Sequence, residues 1–130
     1  MVRINLINPK ELTDQHLIAE YNEILILLGH VKKHPKIKNQ PKEYCLGPGH
    51  INFFKNKLLY LKERHELIKK EMKKRGFKTN KSINLKDFKK ELKNNWKPKK
   101  KDFKIIKVRL KEKIKKKPNY YRYKGKTLKT

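Results

Sequence analysis

Residues 1–28 read MVRINLINPKELTDQHLIAEYNEILILL, and they form the one acidic stretch of a very basic chain. Two cations, Arg3 and Lys10, stand against four carboxylates, Glu11, Asp14, Glu20 and Glu23, while the whole chain carries +26. Asn8-Pro9-Lys10-Glu11 has the pattern of a helix start: an Asn cap, Pro at the first helical position and Glu at the third. Thr13 is a second candidate cap. Leu17, Tyr21, Ile24, Leu28 and Val31 then recur at spacings of four and three, one continuous apolar stripe of a helix. After Glu23 the pattern is apolar all round, Ile24 through Leu28, which predicts central burial. His16, Glu20 and Glu23 share a face beside that stripe. A polyanion repels carboxylates, so acids here call for structural pairing or for chemistry.

Working outward, residues 29–49 read as mostly loop, with a start that can finish the first helix, and His34-Pro35, Gln40-Pro41 and Gly47-Pro48-Gly49 as breakers. A second long helix is expected from about His50 to Arg75, with Ile51, Phe54, Leu58, Leu61, His65, Ile68 and Met72 as its stripe and Gly76 as its cap. Asn84 to Asn95 reads as a short helix with Leu85, Phe88 and Leu92 inward. Trp96-Lys97-Pro98 breaks the chain. Asp102 is expected to cap a third main helix running to about Lys116, with Phe103, Ile106, Leu110 and Ile114 inward and Pro118 as its stop. No alternating pattern is strong enough to build a sheet. The expectation is an all-α fold: residues 1–130 as a single compact domain of three main helices with long loops and an aromatic-basic C-terminal tail.

Thirty-eight Lys and Arg against 12 acids point to a polyanion partner. Nucleic acid is favoured over an anionic membrane, because there is neither a lipidation signal nor a long amphipathic helix with an exposed apolar face. The longest apolar run, Ile24 to Leu28, is far short of the ~20 residues a spanning helix needs. A single cysteine, Cys45, excludes an internal disulfide and fits a reducing compartment, so an intracellular protein beside the genome or RNA is expected.

Residues 97–130 hold 16 cations and only two acids, Asp102 and Glu112. There Tyr120, Tyr121, Arg122, Tyr123, Lys124 and Lys126 interleave rings, which stack on bases, with cations, which bind phosphates. The alternative is a tail pinned to the body by its tyrosines. Arg109 and Lys113, four apart on a helix, fit a phosphate clamp or an ordinary solvated face. His30 and His34 with Cys45 and His50 offer four zinc ligands, but CxxC and HExxH spacings are missing, and no metal or cofactor is expected. Glu23, where the helix turns apolar, is either a carboxyl of raised pKa or a rim partner for a lysine. Val2 is small enough for Met1 removal, and a free α-amine with a pKa of ~7.7–8.0 is partly unprotonated near neutrality and nucleophilic.

Several blocks together resemble the pyrimidine-dimer DNA glycosylase and abasic-site lyase family, the phage-type endonuclease V. They are Arg3-Ile4-Asn5-Leu6, Leu12 through Tyr21 with Glu23 in register, LGPGHINFF at 46–54, KRGF at 74–77, RLKEKI at 109–114 and PNYYRYKGK at 118–126. The resemblance implies a base-excision repair enzyme acting as a monomer on damaged double-stranded DNA. Its nucleophile would be the α-amine of Val2 and its acid Glu23. Arg3, Gln15, His16, Arg109 and Lys113 would contact DNA around the lesion, together with Tyr120, Tyr121, Arg122, Tyr123, Lys124 and Lys126 of the tail. The chain departs from the family at Val2, where Thr is usual, at Asn22 and Ile26, where cations are common, and at Tyr120, which replaces an indole. The loop at 35–45 is shorter. Two other readings stay open: action on another lesion or on abasic sites alone, and a non-catalytic basic DNA- or RNA-binding protein.

Overall fold

Both predicted caps are used, in succession. The Asn8 side chain accepts from the Lys10 N–H and starts only one 3-10 turn, Pro9–Glu11. Thr13 Oγ1 then accepts from the His16 N–H and starts α1, Asp14–Lys33. The computed structural model describes residues 3–128. Within them follow α2 (His50–Phe54), α3 (Leu58–Lys74), a 3-10 turn at Lys90–Leu92, α4 (Lys100–Lys116) and a two-stranded antiparallel ribbon of β1 (Arg122–Tyr123) and β2 (Lys126–Thr127). The three long helices are those expected.

The predicted stripe of α1 is buried throughout and packs on α3, whose Leu58, Leu61, Ile68 and Met72 face it. Ile106 and Leu110 bring α4 onto the same core, and Phe53, Phe54, Tyr44, Tyr60 and Trp96 form an aromatic cluster at its edge. Each large apolar side chain so enclosed contributes roughly 1.5–3 kcal/mol. Among the described residues, no helix is long and apolar enough to cross a membrane.

Residues 3–7 are not helical, yet Ile4 to Ile7 are buried. Buried backbone needs partners, and side chains supply them. Arg3 N–H donates to Glu23 Oε2 at 3.2 Å, and Ile4 N–H to His50 Nε2 at 2.8 Å. The Ile4 carbonyl accepts from the Tyr44 hydroxyl at 2.8 Å. Arg64 Nη1 donates to the carbonyls of Leu6 and Ile7 at 3.0 and 2.5 Å, fixing a turn in which Leu6 is held at φ 59°. The same guanidinium grips Glu20 with Nε and Nη2, at 2.7 and 3.0 Å, and both side chains are shut off from solvent.

Four expectations are corrected. The helix foreseen from His50 to Arg75 breaks at Lys57, whose φ and ψ of −123° and 39° leave the helical region. Phe53 and Phe54, the last two residues of α2, both enter the core just before it. The carbonyls of Asn52 and Phe53 are taken by the Gln40 amide, and that of Phe53 also by the Lys57 ammonium. Residues 84–95 form a turn and a 3-10 turn rather than a helix. Asn84 Oδ1 bonds the Lys86 N–H and competes with helix formation, although Leu85 and Leu92 are inward as expected. Asp102 lies inside α4 at its third position, where it accepts from the Lys99 N–H. Ile26 is 60% exposed, so α1 is not buried all round after Glu23.

Arg64→Met is expected to lower the unfolding free energy by about 3–5 kcal/mol, because it leaves Glu20 buried and uncompensated. In urea denaturation the double variant Glu20→Leu/Arg64→Met should recover only part of that loss, since the Leu6 and Ile7 carbonyls stay unpaired. Full recovery would show that the guanidinium is not needed to hold the terminal segment.

Candidate functional site

The buried N-terminal segment, the exposed edge of α1 and one flank of α4 enclose a cleft of about 260 Å³. Arg3 and Asn5 come from the segment, His16, Ala19 and Glu23 from α1, Arg109, Leu110 and Lys113 from α4, and Tyr121 from the tail. The helical spacings predicted this convergence only within each element. His16 and Glu23 lie two turns apart on α1, and Arg109 and Lys113 one turn apart on α4. What joins them is packing across the core.

Among the described residues, Glu23 is the one acid lining the cleft. Its half-burial pushes its pKa up to about 7, helped by the nearby Glu20 charge and opposed by the Arg3 N–H bond and the Arg3 guanidinium. Near neutrality the carboxyl is therefore shared between its acid and base forms. His16 goes the other way, down to about 4, through burial and then the positive charges of Arg109 and Lys113. It is a neutral ring in the working range. Its Nδ1 lies 2.8 Å from Thr13 Oγ1, which also accepts from the His16 N–H. The ring stacks on Tyr121 at 4.6 Å. The cations crowd one another: Arg109 depresses the pKa of Lys113, and burial followed by Arg109 depresses that of Arg3. An anion with several negative oxygens would relieve this repulsion.

The tail is only partly a free arm. Gln15 uses both ends of its amide on it, Nε2 donating to the Tyr120 carbonyl at 2.7 Å and Oε1 accepting from Arg122 N–H at 2.8 Å. Lys124 and Gly125, at φ 49° and 84°, form the two-residue turn between the strands. Their N–H groups converge on the buried Asp14 carboxylate at 2.9 and 2.7 Å. Arg75 bonds the same carboxylate, reaches Glu71 and the Pro9 carbonyl, and lies over the Tyr123 ring at 4.5 Å. The Tyr123 hydroxyl donates to the Lys10 carbonyl. Tyr120 is left 51% exposed, and Arg122, Lys124 and Lys126 face solvent.

Of the residues singled out in the sequence, Arg3, His16, Glu23, Arg109, Lys113 and Tyr121 therefore meet at one place. Gln15 and Tyr123 serve the attachment of the tail, and Tyr120, Arg122, Lys124 and Lys126 lie outside the cleft lining. Val2 falls outside the described residues. The Asp14–Arg75–Glu71 hub was missed. Its one sequence signal is Lys124-Gly125, a dipeptide suited to a tight turn, and nothing in the sequence couples that turn to residue 14. His50, considered as a zinc ligand, has both ring nitrogens bonded to backbone, at Ile4 N–H and the Cys45 carbonyl. Among the described residues no three His, Cys, Asp or Glu side chains are grouped to hold a metal ion.

Residues 1–85 match the family model described as pyrimidine dimer DNA glycosylase, and the chain belongs to that family. The matched segment contains the terminal segment, α1, α2 and α3. Arg109, Lys113 and Tyr121 enter the cleft from beyond it.

Glu23 should weaken the fold when ionised. Its folded pKa lies above the ordinary value of 4.5, so its favourable contribution is complete below about pH 4.5 and is lost as pH rises through about 7. Glu23→Gln should then be more stable than wild type above pH 7, by about 1–2 kcal/mol after discounting for solvent screening, and no more stable at pH 4. Thermal unfolding at the two pH values checks this. Asp14→Ala should speed amide exchange at Lys124 and Gly125 by about 10-fold or more, the loss of charge-assisted bonds of ~1.5 kcal/mol, while α1 core amides keep their rates.

Proposed function

We propose that this glycosylase acts on ultraviolet pyrimidine dimers in duplex DNA and cuts the strand through an imine formed by its own terminus. Loss of Met1 frees the α-amine of Val2, which attacks C1′ of the 5′ sugar of the dimer. The C1′–N1 bond breaks and its electron pair leaves with the base, which stays tethered to its 3′ neighbour through the cyclobutane. The sugar ring then opens, O4′ takes a proton and the amine nitrogen becomes an imine to C1′. Loss of a proton from C2′ expels the 3′ phosphate by β-elimination, and water releases the enzyme.

The observation that carries this reading is the Glu23 carboxyl, pushed up to about 7 and bonded to the N–H of Arg3, the residue next in the chain to Val2. A carboxyl divided between acid and base near neutrality suits both halves of the reaction: it can protonate O4′ and later accept from C2′. Arg3, Arg109 and Lys113 would hold the phosphates flanking the lesion. His16, neutral and stacked on Tyr121, would offer a flat surface to a distorted step, and the exposed Tyr120 ring a second one. A damaged step is also cheaper to unstack than normal DNA. A second reading, action on abasic sites alone, is favoured by the exposed Ile26 on the face of α1 where the family commonly has cations.

Borohydride trapping, on protein shown by intact mass to lack Met1, decides among these. A covalent adduct with dimer-containing duplex is expected, and blocking the amine should abolish it. An adduct with abasic duplex only selects the second reading, and none with either refutes both. Glu23→Gln should bind dimer duplex with near-wild-type affinity and turn over about 100-fold or more slowly.

A further inference from the structure

α4 carries more cations than the cleft uses. At 100° per residue, Arg109 and Lys113 face the cleft while Ile106 and Leu110 turn into the core. Lys100, Lys104, Lys107, Lys111 and Lys115 fall on the far flank, within a band about 80° wide and centred roughly 180° from the cleft cations. All five are exposed, and among the described residues none has an ion-pair partner. The two acids of the helix do not serve them. Asp102 is buried on the Lys99 N–H, and Glu112 lies about 60° off the edge of the band. On α3, by contrast, lysines alternate with glutamates, and Lys69 pairs with Glu66.

Successive lysines of the row stand three or four residues apart, the spacing at which like charges on a helix repel. The row therefore destabilises the free helix, and a line of negative charge would relieve it. It extends about 22 Å, a length over which duplex DNA presents about 13 phosphate charges. A duplex in the cleft cannot reach it, because the body of α4 stands between. The exposed apolar neighbours, Ile105 and Val108, are too few to insert into a bilayer.

We propose that this flank holds a second, undamaged segment of duplex DNA, so that one molecule bridges two segments: one in the cleft and one along the outside of α4. The inference does not depend on the chemistry proposed for Glu23 and the terminus. Bridging would keep the protein attached to one segment while the cleft samples another.

Sedimentation with a short undamaged duplex tests it. At 50 mM salt the full-length protein should take up two duplexes. Replacing all five lysines by Gln, a good helix former on an exposed surface, should reduce this to one and leave the helix content unchanged. Arg109→Gln/Lys113→Gln should also leave one, now on the flank. With five phosphates neutralised, affinity at the flank should fall about 500-fold between 50 and 200 mM salt. A wild-type protein that takes up one duplex, or a five-lysine variant that still takes up two, overturns the proposal. So does binding of anionic vesicles but no second duplex through the same lysines.

Discussion

The pair between Glu20 and Arg64 is the constraint on which the rest of the molecule rests. It lies in the core between α1 and α3, where two ions can be tolerated only if nearly every polar atom is satisfied. The carboxylate satisfies two guanidinium nitrogens, and the carbonyls of Leu6 and Ile7 take the third. The guanidinium therefore ties three things together: the first long helix, the second and the non-helical segment preceding both. Replacing this arrangement by apolar contact would hold α1 on α3 but strip the carbonyls of Leu6 and Ile7 of these bonds, in a segment whose backbone has no helix or sheet to bond to.

The remaining bonds of that segment lead directly to the cleft. His50 and Tyr44 take the N–H and carbonyl of Ile4, and Glu23 takes the N–H of Arg3. His50 can do this only as a neutral ring with a bare Nε2, and burial, which drives its pKa down to about 4, keeps it so. Three of the four early acids thus have separate uses. Glu20 is spent in the core, Asp14 on the turn of the tail, and Glu23 stands at the cleft with its charge disfavoured. The concentration of acids in one stretch of a cationic chain reflects three different environments that meet along one helix.

The periodicity of α1 was legible because each residue of its stripe is buried for the same reason, contact with α3. The break at Lys57 was not, because the apolar stripe runs straight across it: Phe54 and Leu58 keep helical spacing. For the tail, whose pattern fits either an interleaved arm for nucleic acid or a strip pinned by its tyrosines, the attachment comes from tertiary contacts. Tyr121 and Tyr123 are pinned, while Tyr120 and the cations stay outward. The partners of Asp14, Lys124 and Gly125 lie 110 and 111 residues away in the chain, a distance at which no local pattern couples them.

By itself the sequence determined the helical architecture, the polyanion preference and the identity of most cleft residues, because spacing, charge count and local blocks are properties of neighbouring residues. Only the tertiary structure decided which of the early acids is paired in the core and which stands at the cleft with its pKa raised. Glu20 and Glu23 are three residues apart on one helix, and what separates them is a guanidinium from α3 in one case and a half-open cleft in the other. Burial and opposing charge set a carboxyl's proton affinity, and both come from parts of the chain that are distant until it folds.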